Sequence, residues 1–173
     1  MPLAGFVHYD KKSCMNLKTR ILFFILSIFF LTSCTSSKNA TNLKPTAANL
    51  AGEWTISNIV VDLPAGFQIT NVFDEGPYTD FQGSKWNLIR NGNGSFTLAN
   101  GTKQNIYWSI YGKGNDAQFQ FKKLNGEKAK NVEEGYRLQL GTINNNSFTA
   151  KTIVDAGNGK TGSITYTFSK SSK

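Results

Sequence analysis

From residue 50 onward, apolar and polar side chains alternate in short runs, the two-residue period of strands with one buried face. Trp54, Ile56 and Val60 fall on one side of a first run, with Thr55 and Ser57 on the other. Trp86 and Leu88 alternate with Lys85 and Asn87; Phe96 and Leu98 alternate with Ser95, Thr97 and Ala99. Ile106, Trp108 and Ile110 share a fourth pattern, and Phe119 and Phe121 a fifth. Tyr136, Leu138 and Leu140, then Phe148, Ala150 and Val154, then Ile164, Tyr166 and Phe168 complete the series. Eight strands are predicted.

The connections suit an up-and-down meander. Asn91-Gly92-Asn93-Gly94 and Asn100-Gly101 predict type I′ hairpin turns, whose central residues need positive φ. Residues 112–116, 144–146 and 157–162 mark further turns, and residues 125–135 a longer loop. Residues 63–83, between the first two strands, form much the longest connection. Helical periodicity is absent after residue 34, apart from a short turn before Trp54. The expected fold is all-β, an eight-stranded antiparallel up-and-down barrel, because closure removes the exposed strand edges. The alternate faces carry Ser, Thr, Gln, Asn and Lys, whereas a transmembrane barrel needs an apolar outer band.

The first third of the chain has a different pattern. Residues 21–31 form an apolar run of 11 residues with no helical amphipathicity. Spanning a bilayer takes roughly 20 residues, so the run suits the core of a signal peptide instead. Lys18 and Arg20 precede it, and Leu31-Thr32-Ser33-Cys34 follows. That tetrapeptide reads as a lipidation box, which makes Cys34 the acylated first residue of a mature lipoprotein, carrying palmitate-type chains. Two or more chains anchor a protein stably where one does not. Met15 is the expected start of translation. The expected organisation is an upstream segment and signal peptide over 1–33, a lipidated cysteine and flexible tether over 34–49, and the barrel over 50–173. Thr35 follows the cysteine instead of an inner-membrane-retaining aspartate, and no acidic run follows. Both features favour the periplasmic face of the outer membrane.

Charge and cysteine usage narrow the chemistry. Cleavage removes Lys11, Lys12, Lys18, Arg20 and Asp10, which lowers the net charge from +8 to +5. The closest basic cluster, Lys122, Lys123, Lys128 and Lys130, lacks interleaved aromatic residues, so no nucleic-acid partner is expected. Cys14 is lost and Cys34 is consumed by lipid, which leaves no disulfide to brace the domain. The only histidine, His8, lies upstream of the cleavage site. A mature chain with neither histidine nor free thiol cannot host a histidine triad, a histidine–zinc site or thiol catalysis. The loop acids Asp74, Glu75, Asp80, Glu133 and Glu134 could serve carboxylate chemistry, but such acids are more often solvated surface. A non-enzyme is expected, with no cofactor and no metal.

Leu50-Ala51-Gly52-Glu53-Trp54 resembles the Gly-x-Trp opening of lipocalins and of the lipocalin-like lipoproteins of Bacteroidota. The resemblance spans residues 50–170 through the strand count, the long first loop and the final strand. It implies that Trp54 closes one end of the barrel and that residues 63–83 lid the other. Where the family places an arginine against that tryptophan, this chain has Lys170.

Two functions follow as expectations. In the first, the barrel binds a small hydrophobic or amphipathic ligand, with Trp54, Trp86, Phe96, Trp108, Phe119, Phe121, Tyr136 and Tyr166 facing it and Phe67, Phe73 and Tyr78 in the lid. In the second, those aromatics pack into a filled core, as aromatic alternation more often does. The barrel is then a scaffold that meets another envelope protein through Phe67, Ile69, Val72, Phe73 and Tyr78. A cavity of several hundred Å³ under the lid separates the first from the second.

Overall fold

The computed structural model describes residues 42–126, 132 and 134–171. Cys34, the predicted signal peptide and part of the predicted tether lie outside these residues, as do Lys128, Lys130 and Glu133.

Eight antiparallel strands follow one another around a closed barrel: β1 (Gly52–Asp62), β2 (Lys85–Leu88), β3 (Asn93–Thr97), β4 (Lys103–Tyr111), β5 (Gln118–Leu124), β6 (Tyr136–Ile143), β7 (Ser147–Asp155) and β8 (Thr161–Lys170). β1 pairs with both β2 and β8, which closes the ring. Every strand predicted from the two-residue period is present. Two short helices, α1 (Ala47–Leu50) and α2 (Tyr78–Phe81), precede β1 and β2. Thr46 caps α1 by accepting a hydrogen bond from the Asn49 amide.

One inward assignment fails. Val60 points outward and is 53% exposed, while Ile59 and Val61 pack against the core. A bulge between Ile56 and Asn58, opposite Phe168 and Thr167, inserts one extra residue. Side chains alternate strictly, so a single extra residue reverses every face beyond it. β6 carries a second bulge, between Leu140 and Ile143, that brings Ile143 into the core.

The turns differ in type from the sequence expectation. At Ile89–Gly92 and Leu98–Gly101 the fourth residue's amide bonds the first residue's carbonyl. Gly92 and Gly101 have φ of +93° and +90°, whereas Asn91 and Asn100 are not left-handed. These are type I turns followed by a glycine bulge, not type I′ turns. Each asparagine instead accepts a hydrogen bond from the amide two residues on. The type I′ pattern occurs at Asn158-Gly159, where φ is +52° and +71°.

Part of the segment read as tether is held on the barrel. The Leu43 amide donates to the Ile143 carbonyl at 2.7 Å, and Asn42 Oδ1 accepts from the Ile143 amide at 3.1 Å. Leu43 and Ala47 pack against the core, and Leu50 is fully buried. The chain therefore enters the domain at the end of the barrel where β1 begins and β8 finishes.

Candidate functional site

The inward face is a single aromatic cluster. Trp54, Trp86, Phe96, Trp108, Phe119, Phe121, Phe148, Tyr166 and Phe168 are all buried. Ring contacts run unbroken along the barrel. Trp54 meets Phe148 edge-on at 4.9 Å, and Phe148 stacks on Phe168 at 4.3 Å and 6°. Phe168 meets Trp86 at 5.5 Å, Trp86 meets Phe121 at 5.4 Å, and Phe121 meets Phe73 at 5.2 Å. Such pairs contribute about 0.5–1.5 kcal/mol each beyond the area they bury. The residues proposed to face a ligand thus face one another, and Tyr136 alone among them is only half-buried, at the lid end.

Trp54 sits at the lower end, where β1 starts. Its indole Nε1 donates to the Leu50 carbonyl at 2.8 Å, which ties the strand to α1. Lys170, its β1–β8 partner, lays Nζ over the indole at 4.3 Å from the ring centre. Trp86 donates from Nε1 to Ser84 Oγ at 3.0 Å, so that buried N–H is also satisfied.

Residues 63–83 close the upper end. Their tip is a tight turn in which the Glu75 amide donates to the Val72 carbonyl and Val72 bridges Gly76. Phe73 and Asp74 occupy its two central positions with φ of +54° and +49°. A left-handed backbone costs an ordinary residue about 1–2 kcal/mol. The conformation drives the Phe73 ring into the barrel mouth, where it meets Phe81, Phe121, Tyr136 and Tyr166 at 5.2–5.6 Å. Phe81 on α2 is fully buried and touches Phe96. It fills the side of the mouth above β2, which pairs with β1 only as far as Thr55.

Polar contacts latch this lid. The Tyr136 hydroxyl donates to Asp74 Oδ2 at 2.7 Å. Lys123 Nζ pairs with Glu75 Oε2 at 3.0 Å and also donates to the Asp74 carbonyl. Asp80 Oδ2 accepts from Asn100 Nδ2, and its carbonyl accepts from the Ala99 amide. Asp74 and Glu75 thus tie the lid to β6 and β5, Asp80 ties it to the turn between β3 and β4, and Lys123 of the basic cluster is paired with Glu75. Burial, followed by the bond to Asp74 and the charges of Asp74 and Glu75, raises the Tyr136 pKa above the usual tyrosine value.

The three lid residues singled out in the sequence take different roles. Phe73 is the plug, Tyr78 opens α2 and packs against the core, and Phe67 stays 42% exposed. Ile69 also packs on the core, and Val72 is buried. A partner meeting the loop surface therefore finds Phe67, not Val72 or Phe73. No sequence signal marked Phe73 as the plug among the five apolar residues singled out in that loop.

Beside the plug lies a mostly apolar cleft of about 190 Å³, lined by Ile69, Val72, Phe73, Tyr136, Val154 and Ile164 together with the polar Asn71, Arg137 and Thr152. Two buried hydroxyls lack a hydrogen-bond partner among the described residues: Thr152 Oγ1, on a residue lining the cleft, and that of Tyr166, whose ring centre lies 5.6 Å from that of Phe73. Tyr166 is fully buried, and burial raises its pKa well above 10.0. Larger depressions lie elsewhere on the barrel surface, at residues 42–45 and 140–143 and over the outer faces of β1–β3.

The fold and site together define a class: a closed eight-stranded antiparallel barrel with a filled aromatic interior and a latched loop over one end. Scans of family models, of curated proteins and of solved structures find no match to the chain.

Proposed function

We propose that this chain is a lipid-anchored envelope protein whose filled barrel is a rigid scaffold, presenting its lid half to a protein partner. The observation that carries this reading is the unbroken packing of rings from Trp54 to Phe73, which leaves the depth of the barrel without room for a ligand. Interior binding of a long hydrophobic molecule would require several core rings to leave at once.

The entry of the chain supports an orientation. Asn42 and Leu43 are fixed beside Ile143 at the Trp54 end. A lipid on Cys34 lies eight residues earlier, within at most roughly 29 Å of extended chain. The Trp54 end then stays near the membrane and the lid half faces away from it. That half exposes Phe67, together with Val60 and Ile153 on the outer faces of β1 and β7. The outer membrane and its periplasmic face remain the proposed location.

Photo-crosslinking in whole cells tests the reading. Probes at Phe67 and Ile153 should each yield a discrete protein adduct, and probes at Ile89 and Tyr111 on the membrane-facing half should not. Adducts at all four sites, or at none, overturn the scaffold reading. Separately, a Cys34→Ser chain should lose lipid labelling and leave the membrane fraction, and continued membrane partition would sink the anchor.

A further inference from the structure

We infer that the barrel mouth is a binding site for a small single-ring molecule carrying one hydrogen-bonding group, and that Phe73 occupies that site in place of the ligand. The inference goes beyond the scaffold reading and does not depend on lipidation.

Three observations converge on the barrel mouth. First, the Phe73 ring is a foreign body in the barrel: it comes from a loop tip, whereas the rings beneath it come from strands. It is surrounded by four aromatic rings at 5.2–5.6 Å, a box sized for one ring. Second, the space continues into the mostly apolar cleft of about 190 Å³ along β7 and β8, so the ring does not fill the mouth. Third, the buried Tyr166 hydroxyl is unpartnered, on a ring whose centre lies 5.6 Å from that of Phe73, and Thr152 Oγ1 is unpartnered on a residue that lines the cleft. Buried hydroxyls are nearly always satisfied, and a phenyl plug has nothing to offer them.

The energetics make the plug exchangeable. Phe73 and Asp74 both hold left-handed backbones, which opposes the favourable ring contacts. A ligand that takes the ring's place keeps those contacts, releases the strained turn, and supplies the missing partner to Tyr166. The depth of the site fixes the ligand's size. Phe121, Trp86 and Phe168 block the barrel immediately below, which excludes an acyl chain. Phenols and similar monocyclic alcohols or ketones have the required shape and polarity. The latch opposes exchange through Tyr136–Asp74 and Lys123–Glu75, so the lid would open only when the ligand's contacts exceed these bonds.

The test uses the full-length chain in lipid nanodiscs, with empty nanodiscs as the partition reference, and titrates p-cresol, toluene and dodecanoate by calorimetry. Phe73→Ala should bind p-cresol at least about tenfold more tightly than the unaltered chain, since the competing ring is gone. It should prefer p-cresol to toluene by about tenfold, and Phe73→Ala/Tyr166→Phe should lose that preference. Dodecanoate should not bind above the nanodisc reference. A cooperative thermal transition and intact near-ultraviolet dichroism establish that the variant is folded. If Phe73→Ala does not fold, Tyr136→Phe replaces it: loosening the latch should tighten p-cresol binding by about fivefold. A folded variant that binds neither ring compound, a p-cresol preference unaffected by Tyr166→Phe, or tighter binding of dodecanoate overturns the inference. None of these outcomes alters the crosslinking expected of the scaffold.

Discussion

The barrel's two ends are closed by aromatic residues in opposite ways. At the lower end Trp54 belongs to β1, in relaxed strand geometry, with its N–H bonded to Leu50 and its face covered by Lys170. At the upper end Phe73 belongs to a loop tip, in a left-handed backbone, held by side-chain bonds to Tyr136 and Lys123. The contrast shows that burial alone does not make a closure permanent. A residue carried by the sheet can leave only if the sheet unfolds, whereas a residue carried by a latched loop can leave while the barrel stays intact.

Trp54→Ala is the strongest test of that difference. It removes a buried indole, its hydrogen bond and its edge contact with Phe148, so global stability should fall by about 3–5 kcal/mol in urea unfolding. Loss of less than half of that range would mean that the lower end is not integral to the fold.

Phe73→Ala should cost less, about 2 kcal/mol, because the vacated space joins the open cleft beside it and no sealed cavity is left in the core. Phe73→Gly should recover about 1 kcal/mol of that loss, since glycine accepts φ of +54° without a clash. Hydrogen exchange should locate the damage in the lid amides of Val72 and Glu75. Equal acceleration throughout β1–β8 would refute a locally closing lid.

Tyr166→Phe should raise stability by about 1 kcal/mol, as it removes a buried hydroxyl without a partner. It should also flatten the alkaline limb of the stability curve. Tyr136 and Tyr166 both hold their protons above the ordinary value of 10.0, burial being the chief cause in each. Their contribution is therefore complete below pH 10 and declines as pH rises beyond it, because the unfolded chain ionises first. Tyr136→Phe should flatten the same limb while acting mainly on the lid. Unchanged alkaline unfolding in both variants would show that these tyrosines do not govern it.

The smallest effect belongs to Lys170→Ala, about 0.5–1 kcal/mol from lost contact with the Trp54 face. Lys170→Arg should retain it, since a guanidinium stacks at least as well on an indole.

Much of the barrel was legible because strand burial writes itself into the sequence with a period of two. Trp86, Ile106, Phe119, Leu138 and Phe168 fall where that period puts them. Val60 did not, because a bulge leaves no mark in an alternating pattern: Ile59, Val60 and Val61 are all apolar, so either phase fits. Asn91-Gly92 and Asn100-Gly101 announced turns correctly, but the same dipeptide serves two turn types, and the twist of the flanking strands selects between them. For the site, the aromatic residues were identified, and their mutual packing stood as one of two alternatives. Alternation records which way a side chain faces, not whether the opposite wall reaches it.

The sequence by itself determined eight short strands in meander order, the long first connection and an inward face of aromatic rings. Each is a local property, carried by near neighbours along the chain. Only the tertiary structure decided that those rings meet across the barrel, that Asn42 and Leu43 belong to the domain, and that Phe73 turns inward. Those outcomes depend on contacts between residues far apart in the chain: Phe73 with Tyr166, Leu43 with Ile143, Asp74 with Tyr136. Closure of the barrel brings them together, and nothing short of closure specifies them.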